Sequence, residues 1–71
     1  MGTVLELASG TGRLAYPIIE LGLDYTGLDS SKEFLKLANS KLGDKANFIF
    51  GDMRKFNLES TFDFIFIGFN S

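Results

Sequence analysis

Residues 4–15 read VLELASGTGRLA, from Val4 to Ala15. The apolar strand pattern of Val4, Leu5 and Leu7 stops at a run of small residues, Ala8 to Gly12, and a helix pattern follows at once. A strand, a glycine turn and a helix in succession let the backbone come close to a ligand and offer N–H groups to its polar or anionic parts. The helix start behind the turn is expected to add a partial positive charge.

The rest of the chain reads as walls around that turn. Gly12 to Leu21 carries Leu14, Ala15, Ile18, Ile19 and Leu21 on one helical face, with Pro17 near its start and Gly22 placed to end it. Tyr25 to Leu28 predicts a second strand ending at Asp29. Ser30 to Glu33 fits a capping box with Ser30 as the cap, opening a helix that runs to about Leu42 and stops at Gly43. Asn47 to Phe50 predicts a third strand, ending at Gly51-Asp52, and Met53 to Thr61 is too short and polar for a long helix. Phe62 to Phe69 reads FDFIFIGF, a fourth strand whose near-continuous apolar run predicts burial on both faces.

The order β-α-β-α-β-loop-β, with right-handed crossovers, predicts an α/β fold: a Rossmann-like, doubly wound parallel sheet of about four strands with two main helices. Residues 1–71 form a single expected domain. A strand order 3-2-1-4 puts the crevice between strands 1 and 4 at the switch point, where such sheets bind ligands. Ser9 to Gly12, Asp29, Asp52 and Asn70 all fall at the carboxyl ends that border it.

Composition narrows the chemistry. The chain has 71 residues, no cysteine and no histidine, so thiolate metal sites and imidazole bases are excluded, and no metal site is expected. A net charge of −2 with seven Lys and Arg argues against a nucleic-acid surface. No run approaches the roughly 20 apolar residues of a membrane span, and a cytoplasmic location is the default expectation. Eight phenylalanines are best read as core. No Gly-Lys-Ser/Thr follows the glycines, so a P-loop is not expected. Asp29 lies about 20 residues past Gly10, the spacing at which a carboxylate accepts both hydroxyl hydrogens of a ribose. Asp52, at the end of the third strand, stands at the edge suited to an adenine amino group.

Taken as a set, these residues resemble the N-terminal, cofactor-binding half of a class I S-adenosylmethionine-dependent methyltransferase. VLELASGTGR resembles the family's first motif, GLDSSKEFLKLANSKL its second strand and helix, FIFGDMRKF its third motif, and FDFIFIGFNS its fourth strand and active-site end. The resemblance implies that Glu6 orients the glycine loop or reaches the ligand's amino group through water. It implies that Ala8, Gly10 and Gly12 line the methionine part of S-adenosylmethionine. Asp29 would hold the ribose, flanked by Leu28 or Ser30. Asp52 would hold the adenine amino group, with Met53 against the ring. Phe69 and Asn70 would lie near the sulfonium, and Arg13 would either meet the carboxylate or remain solvated. Ala8 stands where the family's first glycine is common, which fits if its φ stays negative.

No catalytic base is readable, and the resemblance implies an unidentified small nucleophile as methyl acceptor. The family's sheet continues past a fourth strand, so the chain is expected to be a fragment that can bind cofactor. Two alternatives stay open. Gly10 to Ala15 also matches the G-x-G-x-x-A of nicotinamide-dinucleotide domains, with Asp29 in the right place. The chain could also be a non-catalytic half-domain that folds by association. An open, Phe-rich edge at Phe62 to Phe69 predicts a homo-oligomer formed through that strand.

Overall fold

The computed structural model of the chain describes residues 2–52 and 62–68. Among them run β1 (Thr3–Leu7), α1 (Ala15–Glu20), β2 (Asp24–Asp29), α2 (Lys32–Leu42), a short 3-10 turn (Gly43–Lys45), β3 (Asn47–Phe50) and β4 (Phe64–Ile67). The strands form one parallel sheet in the expected order, β3-β2-β1-β4. Glu6 sits between Gly27 of β2 and Phe66 of β4, and Leu28 of β2 pairs with Ile49 of β3. At the amino end, Thr3 and Asp63 fix the β1–β4 register. The Thr3 N–H donates to Asp63 Oδ2 (3.0 Å) and the Asp63 N–H donates to Thr3 Oγ1 (3.0 Å).

The two faces of the sheet differ in chemistry because successive side chains alternate. On one face Leu5, Leu7 and Leu28 form a buried cluster, with Ile49 and Phe62 packed against it. The other face carries Val4, Glu6, Tyr25 and Phe48, the last two rings meeting edge to face at 5.9 Å. The C-terminal half of α2 lies over this second face and over the glycine turn. A methyl group on Gly12 would stand 3.3 Å from Leu42 Cδ1, 3.4 Å from Ala38 Cβ and 3.5 Å from Phe48 Cζ.

Four details depart from the sequence expectation. First, α1 begins at Ala15 rather than Gly12. Gly12 has φ +85, outside the helical region, and the chain reaches Ala15 through tight turns from Ser9 and Gly12. That start also puts Pro17 in the first helical turn, where its missing N–H costs no helical bond. Second, the N-cap of α2 is Ser31, not Ser30. Its Oγ accepts the Phe34 N–H at 3.2 Å, so the third helical position is Phe34 and Glu33 closes no box. Third, Ala8 does not keep a negative φ; it sits at φ +58, in the left-handed region. Fourth, β4 is not buried on both faces: Phe64, Ile65 and Ile67 are 62%, 54% and 47% exposed. Both crossovers run the same way, so the helices cover β2 and β3 and leave β4 as an edge.

The backbone of the glycine turn predicts opposite responses at two neighbouring sites. A left-handed non-glycine residue costs about 1–2 kcal/mol, partly offset by the extra chain entropy a glycine loses on folding. Ala8→Gly is expected to raise stability by about 0.5–1 kcal/mol. Gly12→Ala is expected to lower it by about 1–3 kcal/mol, through its φ and its close neighbours. Urea unfolding midpoints check both signs.

Candidate functional site

The site is assembled at the carboxyl ends of β1, β2 and β3, and one residue, through its side chain and its backbone carbonyl, joins all three. Asp29, the last residue of β2, accepts the Gly10 N–H on Oδ2 at 2.7 Å and the Ser31 N–H on Oδ1 at 2.8 Å. Its own carbonyl accepts the Gly51 N–H at 2.9 Å, immediately before Asp52. Gly10, Asp29 and Asp52 therefore share one rim, as the sequence spacing predicts. A carboxylate has about four lone-pair positions, so each Asp29 oxygen keeps one acceptor position beyond the backbone bonds.

The turn itself works differently from the sequence expectation. Its N–H groups are not all bare: that of Gly10 goes to Asp29 and that of Gly12 to the Ser9 carbonyl (3.2 Å). The six-residue α1 starts well past the glycines, so its dipole adds little at the turn. What Gly10 (φ 62) and Gly12 (φ +85) contribute is a sharp path and the absence of side-chain bulk.

Beneath the turn lies a buried polar cluster on the helix-covered face. Glu6, Tyr25 and Ser9 are 2%, 1% and 2% exposed. The Tyr25 hydroxyl donates to Glu6 Oε1 at 2.5 Å. Burial pushes the Glu6 carboxyl above the usual carboxylate range; the Tyr25 hydrogen bond pulls it back and the Asp29 charge adds to the rise. Burial, and then the Glu6 carboxylate, push the Tyr25 phenol up, so it stays protonated and remains a donor. Ser9 Oγ has no hydrogen-bond partner among the described residues. Two glycines make room for the cluster. A Cβ on Gly27 would meet Ser9 Oγ at 2.7 Å and the Tyr25 hydroxyl at 2.9 Å, and one on Gly68 would collide with Glu6 Oε2.

Of the residues singled out from sequence, Glu6, Ala8, Gly10, Gly12, Asp29 and Asp52 converge on this rim or directly beneath it. Arg13 and Ser30 are exposed beside it. Met53, Phe69 and Asn70 lie outside the described residues. Sequence reading missed Tyr25 and Gly27 as parts of the site. Parity puts Tyr25 and Gly27 on one face of β2, and the register that aligns Val4 with Tyr25 then adds Glu6 to it. It also missed Lys32, whose ammonium lies 5.0 Å from the centroid of the exposed Phe50 ring at the end of β3. No group of acidic residues among those described could hold a metal ion, and no described helix is long and apolar enough to cross a membrane.

Known proteins share this fold. The family model described as "Methyltransferase domain" matches residues 4–70. A curated relative, the putative methyltransferase YqeM of Bacillus subtilis, is 35% identical over 69 residues, covering 93% of this chain and 28% of its own. The crystal structure of the CcbJ methyltransferase from Streptomyces caelestis superposes with a TM-score of 0.89 at 33% identity, over 97% of this chain and 30% of that one. The glycopeptide N-methyltransferase MtfA, solved with S-adenosyl-L-methionine, gives a TM-score of 0.85 at 34% identity, over 93% of this chain and 30% of that one. The chain thus spans less than a third of the length of these relatives, rather than half. The glycine pattern it shares with dinucleotide domains is accounted for: by the shared motifs, strand order and superposition, the chain belongs to the class I S-adenosylmethionine-dependent methyltransferase family.

Proposed function

We propose that the chain is the cofactor-binding part of a methyltransferase that uses S-adenosylmethionine and carries a methyl group to a small nucleophile. The observation that carries this reading is the Asp29 carboxylate, fixed by two backbone N–H groups where three loops meet, with one acceptor position left on each oxygen. Those two positions suit the vicinal hydroxyls of a ribose. Asp52, one residue past the bond that ties Gly51 to Asp29, is then the acceptor for an adenine amino group. The similarity to MtfA, which was solved with S-adenosyl-L-methionine, supports the same choice of ligand.

The remaining assignments follow the resemblance. Ala8, Gly10 and Gly12 border the methionine part, where Gly12 lets the turn pack closely beneath α2 and Phe48. Glu6 accepts from the cofactor's amino group, directly or through a water, and Arg13 stands near the carboxylate. Ser30 flanks the ribose, Met53 the adenine, and Phe69 and Asn70 the reacting end. When bound, S-adenosylmethionine supplies an electrophilic methyl on a sulfonium, open to in-line attack. The protein's share is to hold the nucleoside and keep the reacting end oriented. Nothing in the described residues assigns a general base, so the acceptor remains a nucleophile of unspecified class. A cytoplasmic location belongs to this reading, and the cysteine-free composition fits it.

The exposed strand β4 belongs to the reading too. Phe64, Ile65 and Ile67 present apolar surface on the strand that forms the sheet edge among the described residues, and proteins ordinarily cover such an edge. A second copy pairing along β4 is the cover proposed for this chain.

Two measurements test these points. In calorimetric titration, S-adenosylmethionine and S-adenosylhomocysteine are expected to bind saturably. Asp29→Ala should weaken binding by about 1.5–3 kcal/mol, the size of hydrogen bonds to a charged group. Binding of NADH in their place contradicts the assignment. In sedimentation velocity at micromolar concentration, the chain should run as a dimer or larger species and Ile65→Lys should shift it toward monomer. A monodisperse wild-type monomer removes the β4 pairing.

A further inference from the structure

Three features beneath the glycine turn have one geometric consequence. Gly27 leaves a slot in β2, and the Tyr25 hydroxyl and the Ser9 side chain occupy it. Gly68 leaves a second space just past β4, and the Glu6 carboxyl fills it. Tyr25 bridges the two, donating to Glu6 Oε1 at 2.5 Å while Oε2 faces Gly68. A side chain at either glycine would displace one member of the set. Few strand positions tolerate this, because glycine weakens a strand interior and is kept where something must come close.

We propose that Tyr25 is a positioning residue: seated in the Gly27 slot, its phenol holds the Glu6 carboxyl against Gly68, with one oxygen committed to β2 and the other turned to the β1–β4 crevice. The inference rests on the proposed function in one respect, the role of Glu6 as acceptor for the cofactor's amino group. A carboxylate free to rotate would satisfy burial by turning away or taking up a proton; one tied at Oε1 keeps Oε2 fixed and favours the charged form that an ammonium group needs. The ionisable groups acting on Glu6 are Tyr25 from β2 and Asp29 from its carboxyl end. The β4 side contributes none, since Phe66, Ile67 and Gly68 carry no charge.

The test separates this inference from the cofactor assignment. The Glu6 side-chain carboxyl is titrated by NMR without ligand, in the wild type, in Tyr25→Phe and in Gly68→Ala. S-Adenosylhomocysteine affinity is then measured against pH in the same three proteins and in Glu6→Gln. Tyr25→Phe should move the Glu6 midpoint to higher pH, because it removes the donor that favours the carboxylate. Gly68→Ala should move it the same way, by pushing the carboxyl off Tyr25. Binding to the wild type should weaken as pH falls through the Glu6 midpoint. Tyr25→Phe should carry that fall to higher pH and weaken binding at neutral pH by about fivefold to tenfold, the loss of one hydrogen bond. Glu6→Gln should flatten the profile. An unchanged Glu6 midpoint in Tyr25→Phe overturns the positioning role, whatever happens to melting temperature. If the midpoint moves but no variant or wild type binds the ligand, Tyr25 still positions Glu6 and the cofactor assignment is what fails.

Discussion

The carboxylate of Asp29 is the knot of this structure. It takes one N–H from the turn after β1 and one from the entry to α2, while its backbone carbonyl takes a third from the end of β3. Hydrogen bonds to an ionised acceptor are roughly twice as strong as neutral ones, and here they tie together the loops after β1 and β2. The same knot explains why the α2 cap falls on Ser31. Once Asp29 captures the Ser31 N–H, Ser31 is held extended (φ −100, ψ 110), with its hydroxyl placed over the first helical turn. Loop geometry, helix start and a nucleoside-sized acceptor pair thus come from one residue.

Beneath that knot the sheet is divided between two kinds of interior. The Leu5, Leu7 and Leu28 face is stabilised mainly by apolar burial. The opposite face carries an acid, a phenol and a hydroxyl, all nearly without solvent access. Such groups destabilise a fold unless they satisfy one another. Glu6 and Tyr25 do, and the Ser9 hydroxyl lies beside the Tyr25 hydroxyl in the Gly27 slot, directly under the turn. Ala8 adds backbone strain one residue earlier, at φ +58. Backbone strain in such a turn is what a ligand-binding loop accumulates, at the expense of stability that the apolar face supplies.

Much of this was legible in the sequence, for identifiable reasons. Strand order and direction follow from the glycine turn, the two helical crossovers and the fixed hand of such connections. The Gly10–Asp29 relation follows from spacing, because a strand, a helix and a strand of ordinary length return the chain to the same rim. The start of α1 was less legible, since the helical period of Leu14 to Leu21 says nothing about the φ of Gly12. The alternative caps Ser30 and Ser31 differ only in which N–H Asp29 captures, a tertiary matter. The exposure of β4 could not be read from Phe64 to Ile67, because apolar content records what a strand would bury and not whether a neighbour is there to bury it. The Tyr25–Glu6 pair needed register, which becomes available only once β1 and β2 are aligned at Val4 and Tyr25.

A single ligand held by three loops on one rim leaves a definite trace in amide chemical shifts. Titration with S-adenosylhomocysteine, followed residue by residue by NMR, should perturb Gly10, the amides from Asp29 to Ser31, and Gly51 with Asp52, all along one saturation curve. Perturbations confined to the amino-end clasp of Thr3 and Asp63, or to the outer face of α2, would contradict the account, as would separate saturation curves for the three loops.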